Sequence, residues 1–327
     1  MTLNVTVVNP AGYIIQSSDR RMVSMPSGNW VNDSANKGLV LQTDDGIFSV
    51  TFAGVGISSG QRVDLWLAET MLDAGIPEIP ILEGLPMLAG QATAWFKTFP
   101  DTVDKRHTFV IAGWLLQPRP QPKVWIITNC AGVGKRMPAT ARAEFDVQEL
   151  PIRRSATMVY WFGLVGAIDR NDKRPFFAAL QRATDFDQVE EVIVSLIRRA
   201  AAKRRWSWGI GQDVLSIGLS SGGEARSTYY PVSAPRSNYA PLFVWYDAGR
   251  NITVGDAEIT PASGRVYRFA RAMLVDAPGA ERELSSVPMD PSQIRFRMRI
   301  SEPKFKKEAR GDSPIVEAFR VKEVKQS

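Results

Sequence analysis

The chain has 327 residues, of which 44% are hydrophobic and 23% charged, an ordinary globular composition with enough length for a sizeable core. No stretch approaches 18 uninterrupted apolar residues, and Met1-Thr2-Leu3-Asn4-Val5 lacks the basic and apolar regions of a signal peptide, so neither a spanning helix nor a secretory leader is expected. A single cysteine, Cys130, and a single histidine, His107, exclude an internal disulfide, a His/Cys zinc cluster and any catalytic triad not built on His107; a cytoplasmic location is the expectation.

The net charge of +6 is unevenly spread. Between residues 291 and 327 ten basic residues face five acidic ones, so nearly all the excess sits in the tail. Such a tail attracts phosphate without specificity. Alternation through Ile294-Arg295-Phe296-Arg297-Met298-Arg299-Ile300 predicts instead an amphipathic strand with its polar side in water.

Val5 and Val7 alternate with Asn4 and Thr6, which predicts a half-buried first strand. Asn9-Pro10-Ala11-Gly12 supplies a turn, and Tyr13 to Asp19 returns as its partner. A second hairpin runs from Gly38 to Thr43, turns at Asp44-Asp45-Gly46, and returns over Ile47 to Phe52. Val63, Trp66, Leu67 and Met71 then fall at helical spacing, whereas the Pro- and Gly-rich stretch from Ala74 to Gly90 reads as a loop or insertion.

Two apolar strands, Thr108–Leu116 and Lys123–Thr128, flank a proline-rich connector, with His107 at the edge of the first. Another strand covers Thr157 to Phe162, and a short helix Pro175 to Ala183. The clearest helix is expected to open at Asp187, with Glu190 completing a capping box. Val189, Val192, Ile193, Leu196, Ile197 and Ala200 form one apolar stripe, and Arg198, Arg199, Lys203, Arg204 and Arg205 complement the C-terminal end. Val214 to Leu219 reads as a closing strand, and residues 241–246 and 264–269 as further strands. Strands in groups, with helices between the groups, predict a layered α+β arrangement of two antiparallel sheets with helices outside.

Several stretches, in order, resemble a proteasome β-subunit or its bacterial homologues, within the N-terminal-nucleophile hydrolases. These are Thr2-Leu3-Asn4-Val5-Thr6-Val7, then Gly12 through Asp19-Arg20, then Phe52-Ala53-Gly54-Val55-Gly56, and finally Gln188-Val189-Glu190-Glu191-Val192 through Gly209-Ile210-Gly211-Gln212-Asp213-Val214. The resemblance covers residues 2–223. It implies a four-layer αββα sandwich over residues 1–223, and it leaves 224–327 as a C-terminal extension, strand-rich and ending in the basic tail.

The resemblance also implies a chemistry. Removal of Met1 would expose Thr2, whose Oγ is the nucleophile and whose α-amine is the general base. An α-amine has a pKa of about 7.7–8.0, and a nearby lysine lowers it. Lys37 is the nearest candidate, two residues beyond the family's spacing, with Asp19 to hold it. The backbone N–H of Gly54 would face the oxyanion, and Ser207 would stand for the family's late serine. The family's acid near the end of the late helix is replaced here in Arg204-Arg205-Trp206-Ser207-Trp208-Gly209, and its glycine-serine motif reads Gly163-Leu164-Val165-Gly166.

Three functions follow as expectations. The first is a threonine-type peptidase or amidase acting through an acyl-enzyme on a peptide or amide substrate, with no cofactor, no metal and no membrane partner, assembled as a homo-oligomer by analogy. The second is an inactive scaffold or assembly protein of the same fold. The third is a nucleic-acid-associated factor using Arg295 to Arg310.

Overall fold

The structure is a computed structural model. It describes residues 2–23, 30–32, 35–58, 61–101, 103–116, 118–131, 140–223 and 225–232, and beyond these the strands at 237–238, 242–247, 252–254, 257–259, 265–270, 273–276, 280–283 and 296–297. Most of the basic tail therefore lies outside the described residues, and of the amphipathic strand expected there only Phe296–Arg297 is described.

Strands β1 (Leu3–Asn9) and β2 (Tyr13–Asp19) pair antiparallel across the Asn9 turn. The second hairpin is β3 (Gly38–Gln42) and β4 (Gly46–Ala53). Helices α1 (Val63–Asp73) and α2 (Ile81–Lys97) follow, then β5 (Thr108–Leu115), β6 (Gln121–Ala131), β7 (Thr140–Glu149) and β8 (Met158–Gly163). Helices α3 (Arg170–Arg182) and α4 (Phe186–Ala202) precede β9 (Val214–Ser220) and β10 (Ala225–Tyr230). The remaining long strands are β11 (Leu242–Asp247), β12 (Arg265–Ala270), β13 (Met273–Asp276) and β14 (Ala280–Glu283).

The first sheet has the order β8-β1-β2-β9-β10, closed by Ser237–Asn238, and the second runs β7-β6-β5-β4-β3-β11-β12-β13-β14. Every pairing within them is antiparallel except β3 with β11.

Strand alternation sorts the apolar residues into three layers. Leu3, Val5 and Val7 of β1 face α3 and α4, where they meet Phe176, Ile193 and Ile197. Val8, Val110, Trp114, Tyr160 and Ile217 fill the space between the sheets. Phe109 and Ile111, one residue out of phase with Val110, pack under α1 and α2 against Leu67, Leu85 and Phe96. The chain is thus an α+β sandwich, helices–sheet–sheet–helices, as the resemblance implies.

Four expectations need correction. β1 is not half-buried: Asn4 and Thr6 are as buried as Val5, because their face meets the second sheet. There Asn4 Nδ2 donates to Thr51 Oγ1 (2.5 Å) and Gln16 Nε2 to Thr6 Oγ1 (3.2 Å), so the polar alternate positions are satisfied by one another rather than by water. The segment from Ala74 to Gly90 is not a loop but a short 3-10 turn, Ile76–Glu78, and most of α2. Pro80 sits at the helix start and Pro86 within it, while Ile81, Leu85, Leu88, Ala92 and Phe96 keep a helical stripe buried.

Helix α3 begins five residues earlier than Pro175, on a capping box made by Asp169 and Asp172. Helix α4 is capped by Asp185, whose side chain accepts from Gln188 N–H, and not by Asp187. Glu190 turns inward instead, fully buried, and accepts from Arg226 (2.5 Å) and the Tyr230 hydroxyl (3.0 Å) of β10.

Candidate functional site

The N-terminal strand enters the sandwich at Thr2. By the alternation of β1, Thr2 shares the inter-sheet side with Asn4 and Thr6. Its side chain is 1% exposed, and Oγ1 has no hydrogen-bond partner among the described residues. The Thr2 carbonyl accepts from Leu164 N–H at 2.8 Å. Gly163, at φ +80°, stands so close that a Cβ would lie 1.9 Å from that carbonyl oxygen, so the approach of the two strand ends requires glycine.

Beside Thr2 lies a buried ionic knot. Asp19, at the end of β2, accepts through Oδ2 from Leu3 N–H (2.8 Å), and through Oδ1 from the N–H groups of Arg21 (2.9 Å) and Gly211 (3.1 Å). The same Oδ1 takes Lys37 Nζ at 3.2 Å, and Nζ donates again to the Arg21 carbonyl at 2.5 Å. Asp19 is 0% and Lys37 2% exposed. A buried carboxylate is tolerable because four donors converge on it. The Asp19–Lys37 contact that the resemblance implies is present, and it is tied by one hydrogen bond to the amide that follows Thr2.

Gly54, after β4, adopts φ +134°. A Cβ there would meet the Arg106 carbonyl at 2.5 Å and His107 Nδ1 at 2.6 Å, which again demands glycine. The would-be Cβ of Gly163 lies 3.2 Å from Ala53 Cβ, so the Ala53-Gly54 turn and the Thr2 carbonyl border the same glycine.

His107 directly precedes β5, at the strand edge as expected, and is buried there: it is 1% exposed and ringed by Phe52, Phe96 and Phe109, with centroids at 5.7, 4.9 and 4.4 Å. Burial pushes its pKa down to about 3, so the ring is neutral.

Ser207 is not drawn into this network. It lies on an exposed turn after α4, and its hydroxyl donates to the Arg204 carbonyl at 3.2 Å. Its carbonyl, however, accepts from the Arg21 guanidinium, which links that turn to the Asp19 knot. Sequence reasoning missed Gly163, Leu164 and Gly211, since their role is to bring backbone close. The departure at Gly163-Leu164 was the visible trace.

Next to Lys37 a cavity of about 10 Å³, room for one water, is lined by Met22, Ala35, Asn36, Phe52, Gly56, Arg62 and Asp64. Asn36 Oδ1 is buried there without a partner among the described residues, and Arg62 pairs with the buried Asp64. Among the described residues no group of three His, Cys, Asp or Glu side chains is arranged to hold a metal.

Fold and site define an αββα sandwich with a buried hydroxyl at the start of its first strand, one residue before the amide that donates to the buried Asp19–Lys37 pair. Solved structures to which the chain is similar include two from Hyphomicrobium sp. strain MC1 and one from Yersinia bercovieri. Anbu from Hyphomicrobium is 11% identical, with 70% of this chain and 88% of that one covered and a TM-score of 0.47. Its Gly-1 mutant is 9% identical, over 71% and 89%, at 0.46. Anbu, described as an ancestral β-subunit, from Yersinia bercovieri is 11% identical, over 67% and 81%, at 0.43. No family model and no curated protein sequence matches the chain. None of the site's chemistry follows from these likenesses.

Proposed function

We propose that the chain is an N-terminal-threonine amidohydrolase, acting on a peptide or amide bond once Met1 is removed. The observation that carries this is the unpartnered, buried Thr2 hydroxyl, followed directly by the Leu3 amide that donates to Asp19 of a fully buried Lys37–Asp19 pair. A lysine with nothing to do but stabilise the fold would be better placed in water, since burying an ion pair gains little over packing apolar groups.

In this reading the freed Thr2 amine takes the proton from Oγ as Oγ attacks the substrate carbonyl. The Lys37 ammonium disfavours a second positive charge nearby and so holds the amine unprotonated at neutral pH. Asp19 orients Lys37, and the N–H of Gly54 offers the oxyanion a donor. Collapse of the tetrahedral intermediate expels the amine leaving group, which takes the proton held by the α-amine. The acyl-threonine ester is then cleaved by water, activated by the same amine. No cofactor is called for.

A second reading, an inactive scaffold of the same fold, is favoured by the size of the cavity beside Lys37, which admits a water but no side chain. The nucleic-acid reading has no support from the described residues, because the stretch from Arg295 to Arg310 lies almost wholly outside them. No described helix is long and apolar enough to cross a membrane.

Intact mass after exposure to a peptide epoxyketone separates the first two readings. The hydrolase loses Met1 and gains one adduct, and Thr2→Ala gains none. A chain that keeps Met1 and stays unmodified is the scaffold.

A further inference from the structure

The turn that follows α4 is built as a cationic, aromatic surface. Lys203 Nζ is spent on the Ala167 carbonyl and the carboxylates of Asp169 and Asp172. Arg204 and Arg205 are exposed, and no acidic residue follows until Asp213. Asp213 in turn is engaged by the Tyr229 hydroxyl (2.9 Å) and Val232 N–H (2.8 Å).

Two indoles sit among these charges, Trp206 half-buried against the α3–α4 layer and Trp208 exposed. Trp206 lies against Gly166, whose Cβ would meet the ring at 3.4 Å, and carries the Arg205 guanidinium 5.1 Å from its centre. Trp208 is 40% exposed, and its N–H donates to the Arg205 carbonyl at 3.0 Å, which fixes the ring without burying it.

This surface is anchored to the site on two sides. Gly166 is two residues past Leu164, which holds the Thr2 carbonyl, and Gly211 donates to Asp19. Two exposed guanidinium groups offer forked donors that match carboxylates, and flat indoles give a peptide backbone apolar area at small entropic cost.

We propose that residues 204–208 form the docking surface for an acidic peptide segment of the substrate, with carboxylates on Arg204 and Arg205 and the chain laid over Trp208, while Trp206 braces Arg205 from below. Naming the ligand a peptide of the substrate rests on the hydrolase reading; that the surface takes carboxylates on its two arginines does not. A peptide is favoured over nucleic acid because the surface borders a site equipped for amide chemistry.

The test is calorimetric titration of the full chain carrying Thr2→Ala with a short end-blocked peptide of alternating Glu and Gly, its Gln counterpart, and an oligothymidylate of matched charge. The Glu peptide binds, the Gln peptide does not, and added salt weakens the binding. Arg204→Gln with Arg205→Gln costs about tenfold in affinity, and the paired Arg→Glu exchange turns the preference to a Lys peptide. Equal binding of the Glu and Gln peptides, or Glu-peptide binding untouched by the substitutions, overturns the proposal. So does an oligothymidylate bound more tightly through the same arginines. An absent epoxyketone adduct with peptide binding intact removes the hydrolase reading alone, and an adduct without peptide binding removes only this proposal.

Discussion

His107 is the chain's only histidine, and the structure buries it among phenylalanines with both ring nitrogens unpartnered among the described residues. Its pKa of about 3 in the fold contrasts with about 6.5 in an unfolded chain. Between those values the unfolded chain holds a proton that the folded one does not. By linkage, stability then falls as pH falls, starting near the unfolded pKa. From about pH 7 to about pH 5 the loss works out at about 2 kcal/mol.

No other side chain with an ordinary pKa titrates in that window. Burial raises the Asp45 carboxyl, so protonating it would add stability on acidification and oppose the trend. The clean quantity is therefore a difference between two proteins. Urea unfolding followed by tryptophan fluorescence, at both pH values, is run on the natural chain and on His107→Phe, whose ring suits the same aromatic surroundings. The natural chain loses about 2 kcal/mol more than the variant on acidification, at an unchanged m-value. Equal pH slopes would refute the reasoning and mean that the ring finds water or a partner.

The Asp19–Lys37 knot makes a thermodynamic cycle. Lys37→Met leaves a buried carboxylate facing three backbone N–H groups, and Asp19→Asn leaves a buried ammonium, each costing about 3–5 kcal/mol. The double variant, having orphaned no charge, loses clearly less than the two together; additive losses in urea unfolding would show that the pair is not coupled. Asp45 reaches across the fold to accept from Ile81 N–H (2.9 Å) at the start of α2 and from the Thr43 hydroxyl (2.7 Å). Asp45→Ala should cost about 0.5–2 kcal/mol by thermal melting, with Asp45→Asn milder; a melting temperature unmoved by Asp45→Ala would mean that α2 needs no such anchor.

The central strands were legible because both of their faces carry apolar side chains with a phase, whereas β7, exposed along most of its length, and β10 were not expected. Val110, Ala112 and Trp114 point to one layer and Phe109 and Ile111 to the other. Helix α2 was hidden by its punctuation. Its prolines and glycines signal breaks, yet Gly84 is there for packing, since a Cβ would come within 2.7 Å of Ile76 Cγ2. The start of α4 was misplaced for a different reason. Asp185 and Asp187 are equal as caps on the sequence, and what decides between them is that Glu190 is drawn into the core by Arg226, Thr228 and Tyr230. A residue claimed by a distant strand cannot close a capping box.

The site shows the same division between what a pattern carries and what only the folded chain reveals. Asp19 and Lys37 were paired from the resemblance, although a lysine following Asn32-Asp33-Ser34-Ala35-Asn36 looks like a solvated loop residue on its own terms. Its burial is made possible by Asp19, and Asp19's by amides from three separate segments at Leu3, Arg21 and Gly211. One carboxylate therefore fixes the first strand, the lysine loop and the segment after α4 relative to one another. Where the resemblance implies an acid near the end of that helix, this chain has two arginines and two tryptophans, on a turn tied to the Asp19 knot through Arg21 and Gly211. An exposed cationic turn is thereby anchored to a fully buried charge. Under the proposed function, presenting an acidic peptide to Thr2 would need that connection to be rigid.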